Sequence, residues 1–276
     1  MTYPMTNLFR TYTYLKMYQK CPRLYVFHVR GFEPFFSSKA METGTLVHHA
    51  ISAYFRGQEF VEALVRKATE TFLQIDRISD EEEKDKAMEA HSEAISRAVV
   101  LSRNYIETHG KDFEAPLIEP VLQLGGVTCH PDLIAYLDNI LTVVDFKTGE
   151  SPDCRWLDVS GQLDLYAYVI RPQQVGEGLR VAYDIIADDY FDRMVSPPRY
   201  SIGARLHSQI LQLPEDEKSL LGALNTPHLA YNCPNTCAFF TPCFLLDTCG
   251  EGACEDFLHT NYLLKGESGG TIADRV

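Results

Sequence analysis

Residues 127–149 read VTCHPDLIAYLDNILTVVDFKTG and carry two carboxylates and an ammonium at spacings that two paired strands would draw together. Asp138-Asn139 is a short polar pair that tolerates the left-handed backbone of a tight hairpin, so it is expected to join those strands. Side chains alternate along a strand, which puts Val143, Asp145 and Lys147 on one face and Val144 and Phe146 on the other. An Asp and a Lys at the end of an otherwise apolar face are costly to bury unless partners or a cation compensate them. Asp132, expected on the preceding strand, would supply a second carboxylate across the hairpin from Asp145. Two carboxylates and a lysine meeting at a sheet end suit hydrolysis assisted by a divalent metal. Standing alone, Asp-x-Lys also reads as an exposed edge-strand ion pair of little worth.

Helices must bring further groups to that end. Residues 39–56 are expected to be helical up to Gly57, with Gly44, His48 and Ser52 on one stripe and His49 turned about 100° away. The glycine one turn before His48 leaves room for something to approach the ring; the simpler role for such a histidine is a satisfied core residue. Residues 158–171 form a second expected helix, stopped by Pro172, in which Gln162 and Tyr166 are i, i+4 neighbours. That pair suits contact with a phosphate backbone or an ordinary amphipathic boundary. Further helices are expected over 8–28, broken at Cys21-Pro22, over 59–74, and from a capping box at Ser79–Glu82 to near Gly110. A strand over 117–124 and a Gly125-Gly126 turn would lead into a three-stranded meander, with another strand or hairpin over 179–191. Residues 202–224 read as helical, broken at Pro214. Glu119, on the first of those strands, faces either the site or water.

With 276 residues and 45% apolar content the chain can bury a sizeable core. No apolar run approaches the ~18 residues of a membrane-spanning helix, and residues 1–20 lack the apolar centre of a secretory signal. A soluble, cytoplasmic protein is expected. The net charge of −13 argues against broad electrostatic binding of nucleic acid and leaves room for a local basic groove. Of the eight cysteines, Cys233, Cys237, Cys243, Cys249 and Cys254 fall within 22 residues. In a reducing compartment that points to metal or cluster ligation rather than disulfides. Their spacing lacks the repeated tight pairs of structural zinc sites. A [4Fe-4S] cluster held by three of them with Cys21 is expected, and Zn2+ is the alternative.

Taken in order, Cys21-Pro22, Gly44 to His48, Glu119, Asp132, Asp145-Phe146-Lys147, Gln162 to Tyr166 and the terminal cysteines resemble the PD-(D/E)XK nuclease superfamily. The likeness is to its RecB/AddB-type iron-sulfur branch, with the CRISPR-associated iron-sulfur exonucleases and similar phage nucleases. It implies an α/β, restriction-endonuclease-like core, a central mixed β-sheet flanked by helices, with a C-terminal iron-sulfur segment. A single nuclease domain would span 1–264, with a helical part at about 8–110, the sheet core at about 116–192 and the last helices and cysteines at about 202–254. Residues 265–276 would be a mobile tail. By the same likeness His48, Asp132, Asp145 and the Phe146 carbonyl would hold Mg2+ or Mn2+. Lys147 would orient the attacking water or stabilise the developing charge, Gln162 and Tyr166 would organise the site and the DNA, and Glu119 is an accessory candidate. Cys21, Cys237, Cys243 and Cys249 would ligate the cluster, with Cys233 as a substitute. The implied activity is metal-dependent hydrolysis of DNA phosphodiesters, as an exonuclease on single-stranded DNA or DNA ends. Its setting would be a bacterial, archaeal or phage-infected cell, alongside recombination, CRISPR or phage-replication proteins. The rival reading is a catalytically idle protein that binds DNA ends or a partner and uses its cluster or zinc as a staple.

Overall fold

The computed structural model describes residues 10–34, 38–76, 78, 80–149, 160–173, 178–188, 190–225, 246, 254 and 262–264. Helices α1 (Tyr12–Lys20) and α2 (Pro22–Val29) flank Cys21 and lead into β1 (Phe32–Pro34). Three helices follow, α3 (Lys39–Phe55), α4 (Phe60–Ile75) and α5 (Glu81–His109). Then come β2 (Glu114–Ile118), β3 (Leu122–Leu124), β4 (Val127–Cys129), β5 (Leu133–Leu137) and β6 (Ile140–Thr148). Helix α6 (Gln162–Ile170) crosses to β7 (Leu179–Ala187), and β8 (Tyr190–Ser196) returns beside it. Helices α7 (Tyr200–Ile210) and α8 (Glu217–Leu224) and strand β9 (Tyr262–Leu264) are the last described elements. The chain forms two compact units, one of residues 36–208 and one built from both chain ends, 1–35 with 209–276.

Polar side chains set the helix starts. Thr11, Ser38, Asp80 and Asp216 each accept the backbone N–H three residues on, satisfying a donor that the helix leaves without a partner. The start of α5 therefore falls to Asp80, whose Oδ1 takes the Glu83 N–H at 2.9 Å, rather than to Ser79, which lies outside the described residues. Pro22 stands in the first turn of α2, where a missing N–H costs nothing, so the expected break at Cys21-Pro22 forms. The break near Pro214 likewise separates α7 from α8.

In the unit of residues 36–208 a five-stranded sheet runs β2-β5-β6-β7-β8. β6 and β7 are parallel, joined through α6, and the other neighbours are antiparallel, so the sheet is mixed. Asp138 and Asn139 take φ of 51° and 62°, the left-handed pair that a two-residue hairpin requires, and join β5 to β6 as expected. The continuous strand expected over 117–124 does not form. Glu119 adopts φ 46° and Pro120 has no N–H to give, so the ladder stops at Ile118. β2 pairs with β5, while β3 and β4 close a separate two-stranded hairpin, which replaces the three-stranded meander.

Alternation along β6 decides what each face meets. Val144 and Phe146, with Ala182 and Ile186 of β7, bury against Leu46, Val47, Ala50 and Ile51 of α3, Leu64 of α4 and Ala98 and Leu101 of α5. The opposite face carries Asp145 and Lys147, with Tyr183 across from Asp145 in the parallel register, and packs on α6. The chain-end unit is tied differently: β1 pairs antiparallel with β9, Tyr25 OH donates to the Pro214 carbonyl at 2.7 Å, and Arg23 Nε to the Leu224 carbonyl at 2.8 Å. No helix among the described residues is long and apolar enough to cross a membrane.

Candidate active site

Asp132 does not lie on β5 as expected; it occupies the bend just before it, after the buried Pro131. From there its carboxylate reaches sideways rather than along the pleat. Oδ2 accepts the Phe146 N–H at 2.6 Å, and Oδ1 stands 3.2 Å from His48 Nδ1. The bend is pinned by the Glu119 N–H, which donates to the Asp132 carbonyl at 2.9 Å. Asp132 thus joins the end of β6 to α3, and the strand and helix positions of Phe146 and His48 fix where it points.

Asp145 is buried at 3% exposure, on the strand face that meets α6. Its Oδ1 accepts from Gln162 Nε2 at 3.1 Å, and Oδ2 is in close ionic contact with Lys147 Nζ. Burial first, and then the charge of Asp132, push its carboxyl up to about 6, while Lys147 and His48 pull the other way. Gln162 serves both charges: Oε1 accepts from Lys147 Nζ at 3.4 Å, while Nε2 also donates to Tyr166 OH at 2.7 Å. The i, i+4 spacing read from the sequence therefore places Gln162 and Tyr166 on the site-facing side of α6. Burial, and then the charge of Asp145, hold the Tyr166 phenol well above its ordinary range.

On the other side, His48 projects from α3. Burial draws its imidazole down, but the hydrogen bond to Asp132 and the charges of Asp132 and Asp145 outweigh that, and it titrates above its ordinary value. The room left by Gly44 is not spent on the ring: a Cβ there would stand 2.8 Å from Thr148 Oγ1, so the glycine admits the end of β6 against α3. Glu119 turns away from the two aspartates, accepting from Ser52 Oγ at 3.0 Å and pairing with Arg56. It still lines a cleft of about 630 Å³ that opens beside His48, with Thr45, His49, Lys67 and Thr148. The cleft wall sets the Lys67 ammonium against the Glu119 carboxylate, and His49 is held below its ordinary value, first by burial and next by the charge of Lys67.

Asp145 Oδ2 is a buried oxygen that no hydrogen bond satisfies, despite the ionic contact with Lys147. Such an atom, beside a second carboxylate and an imidazole, suits a hard divalent cation, and the donor set fits Mg2+ or Mn2+. The gathering of His48, Asp132 and Asp145 around one point is not preformed: among the described residues no three His, Cys, Asp or Glu side chains are grouped to hold a metal. His48 and Asp132 face one another and Lys147 covers Asp145, so the charges compensate each other in two adjacent pairs. Cys21 is buried at the N-terminus of α2, whereas Cys233, Cys237, Cys243 and Cys249 lie outside the described residues.

Two groups of residues escaped the reading from sequence, one around Tyr183 and one around Asp184. Tyr183 lies under Lys147, whose Nζ is 5.8 Å from the ring centroid, and its OH is 2.6 Å from Ser160 Oγ. Only the parallel register of β6 and β7 brings it there. On the far face Asp184, fully buried, is clasped by Arg193 through Nε and Nη2, each at 2.7 Å, and receives the Tyr105 OH at 2.6 Å. An Asp inside the apolar run VAYDIIA was the available signal.

The family model described as the PD-(D/E)XK nuclease superfamily matches residues 11–243. No curated protein matches the chain. Among solved structures, the crystal structure of SSO0001 aligns at 15% identity over 62% of this chain and 82% of that one, with a TM-score of 0.31.

Proposed function

The chain belongs to the PD-(D/E)XK nuclease superfamily, and from that premise we infer that this metal-dependent nuclease hydrolyses DNA, as an exonuclease acting on single strands or ends. The observation that carries the reading is the charge set at the end of β6, where Asp145 and Lys147 are held by Gln162 on one side while Asp132 reaches His48 on the other. A net charge of −13 disfavours a broad electrostatic grip on a long duplex, which supports the single-strand or end preference.

In this reading His48, Asp132, Asp145 and the Phe146 carbonyl hold Mg2+ or Mn2+, the imidazole tilting the preference toward Mn2+. When bound, the cation neutralises the scissile phosphate and supplies a water acidic enough to attack it. Lys147, a quarter exposed, presents its ammonium to the charge that builds on the phosphate oxygens. Gln162 fixes that ammonium and the Asp145 carboxylate at once without adding charge, and Tyr166 takes up the second N–H of its amide. The same reading assigns Cys21, Cys237, Cys243 and Cys249, with Cys233 as substitute, to a [4Fe-4S] cluster. It is supported by the burial of Cys21 and by the grouping of both chain ends in one compact unit.

Labelled single- and double-stranded DNA, free-ended and end-blocked, should be cut with Mn2+ and left whole in EDTA. Asp145→Ala and Lys147→Ala should abolish cutting while circular dichroism and iron content stay as in the wild type. Wild-type protein that cuts no DNA under any of these conditions would overturn the assignment, and cutting by both variants at the wild-type rate would remove the two residues from the mechanism.

A further inference from the structure

A second cavity lies on the α6 face of the sheet, beyond Lys147. Its volume is about 360 Å³, and Leu163, Val181, Tyr183 and Met194 give it mainly apolar walls. It adjoins the charge set directly. Tyr183 sits opposite Asp145 in the β6–β7 register, and Gly161, also on its wall, immediately precedes Gln162. The charged groups on its wall compensate one another. Asp164 accepts from the Arg199 backbone N–H at 2.7 Å and from its guanidinium at 2.7 Å and 3.0 Å, which fixes a half-exposed cation at the cavity. What remains is a mainly apolar space with one anchored guanidinium, whose wall residue Tyr183 also lies under the Lys147 ammonium.

We propose that this cavity receives one unpaired nucleobase of the nucleotide adjoining the scissile phosphate, with Arg199 meeting the neighbouring backbone phosphate. The proposal rests on the nuclease reading and deepens it by naming what distinguishes the substrate. The volume is at the small end of the ~300–1,000 Å³ of ligand pockets, enough for a base with its sugar. A base buried there has left its stack, and that requirement selects single strands and frayed ends over duplex interiors.

The test uses the full-length protein in EDTA, where binding is measured by fluorescence anisotropy without cutting. The probes are a short single strand and a set carrying one abasic residue at each successive position. One abasic position should weaken binding about tenfold, the size expected for losing one base contact. Ser196 is exposed, lines the cavity and pairs with Val181 on the same face, so Ser196→Trp fills the space without touching Asp145 or Lys147. That variant should bind the intact strand about tenfold more weakly and no longer sense the abasic position. A flat abasic series in a wild-type protein that cuts DNA with Mn2+ would overturn the cavity proposal alone. A protein that neither binds nor cuts would overturn the nuclease reading with it. The abasic series needs only the wild-type chain, so it decides the matter even where the variant fails to fold.

Discussion

Replacing Asp145 with Asn should make the metal-free protein more stable while destroying its cutting activity. Burial and the charge of Asp132 push the Asp145 carboxyl from 3.8 up to about 6. A carboxyl raised on folding contributes stability that is fully present below its unfolded value and is lost as pH rises through its folded one, here between about pH 4 and pH 6. With each pH unit worth about 1.4 kcal/mol, the ionised group costs the metal-free fold about 3 kcal/mol at pH 7.5. Asp145→Asn keeps an oxygen for Gln162 Nε2 but sets an amide N–H2 against Lys147, whose ammonium is a quarter exposed and turns partly to water. That contact removes part of the gain and leaves about 1–2 kcal/mol. Urea unfolding in EDTA should show the variant ahead at pH 7.5 and the difference closing toward pH 4.5. Mn2+ at a hundredfold excess over its Kd should then add about 2.7 kcal/mol to the wild type and little to the variant, inverting the order. A variant less stable than wild type in EDTA at pH 7.5, or an equal gain from Mn2+ in both, would refute the account of Asp145 as a carboxylate that burial and Asp132 disfavour and a divalent cation relieves.

Two further outcomes follow from the same geometry. Gly44→Ala adds helix propensity worth ~1 kcal/mol, yet its Cβ meets Thr148 Oγ1 at 2.8 Å, and overpacking of that kind costs ~1–3 kcal/mol. The single variant should show no gain in urea, whereas adding Thr148→Ala should release one; strictly additive effects would show that the two sites do not touch. Tyr105 is held well above its ordinary value, first by burial and next by the charge of Asp184, so its contribution is present below about pH 10 and falls as the unfolded chain releases a proton that the fold retains. Tyr105→Phe should lose ~1–3 kcal/mol at pH 7 with the bond to Asp184, and should show a shallower decline between pH 9.5 and 11 than the wild type. Parallel declines would remove Tyr105 from the alkaline limb.

Much of this was legible locally. Asp138-Asn139 carries its own turn chemistry, Cys21-Pro22 its own helix break, and strand alternation alone separates Asp145 and Lys147 from Phe146. The helical spacing of Gln162 and Tyr166 also placed them on a common side. The misses are non-local. Asp132 lies in a bend because Glu119 takes a left-handed backbone and hands its N–H to the Asp132 carbonyl, and nothing in either residue's neighbours announces that bond. β2 bypasses β3 to pair with β5, a choice made by competing ladders rather than by propensity. Tyr183 becomes a neighbour of the site only through the parallel register, and period-two alternation carries no information about which strand lies alongside.

Alternation also explains why one strand answers to two layers. Asp145 and Lys147 project to α6, but Phe146 between them projects to the other layer, its ring edge-on to His48 at 5.9 Å and to Tyr105 at 5.5 Å. Its N–H is the one that holds Asp132. Behind it, Tyr105 is bonded to Asp184, which lies beside Phe146 in register and is clasped by Arg193. An ion pair with a fully buried carboxylate is a poor way to gain stability, since its desolvation offsets most of its attraction and apolar residues of equal volume often do as well. The contacts run on from it in series: Asp184 holds the Tyr105 OH, the Tyr105 ring packs on Phe146, and the Phe146 N–H holds the carboxylate that faces His48. Loosening it from behind should displace that carboxylate while leaving Asp145, Lys147 and Gln162 in contact. Tyr105→Phe should accordingly cut more slowly at unchanged affinity for DNA in EDTA, a split that a general loss of stability does not produce.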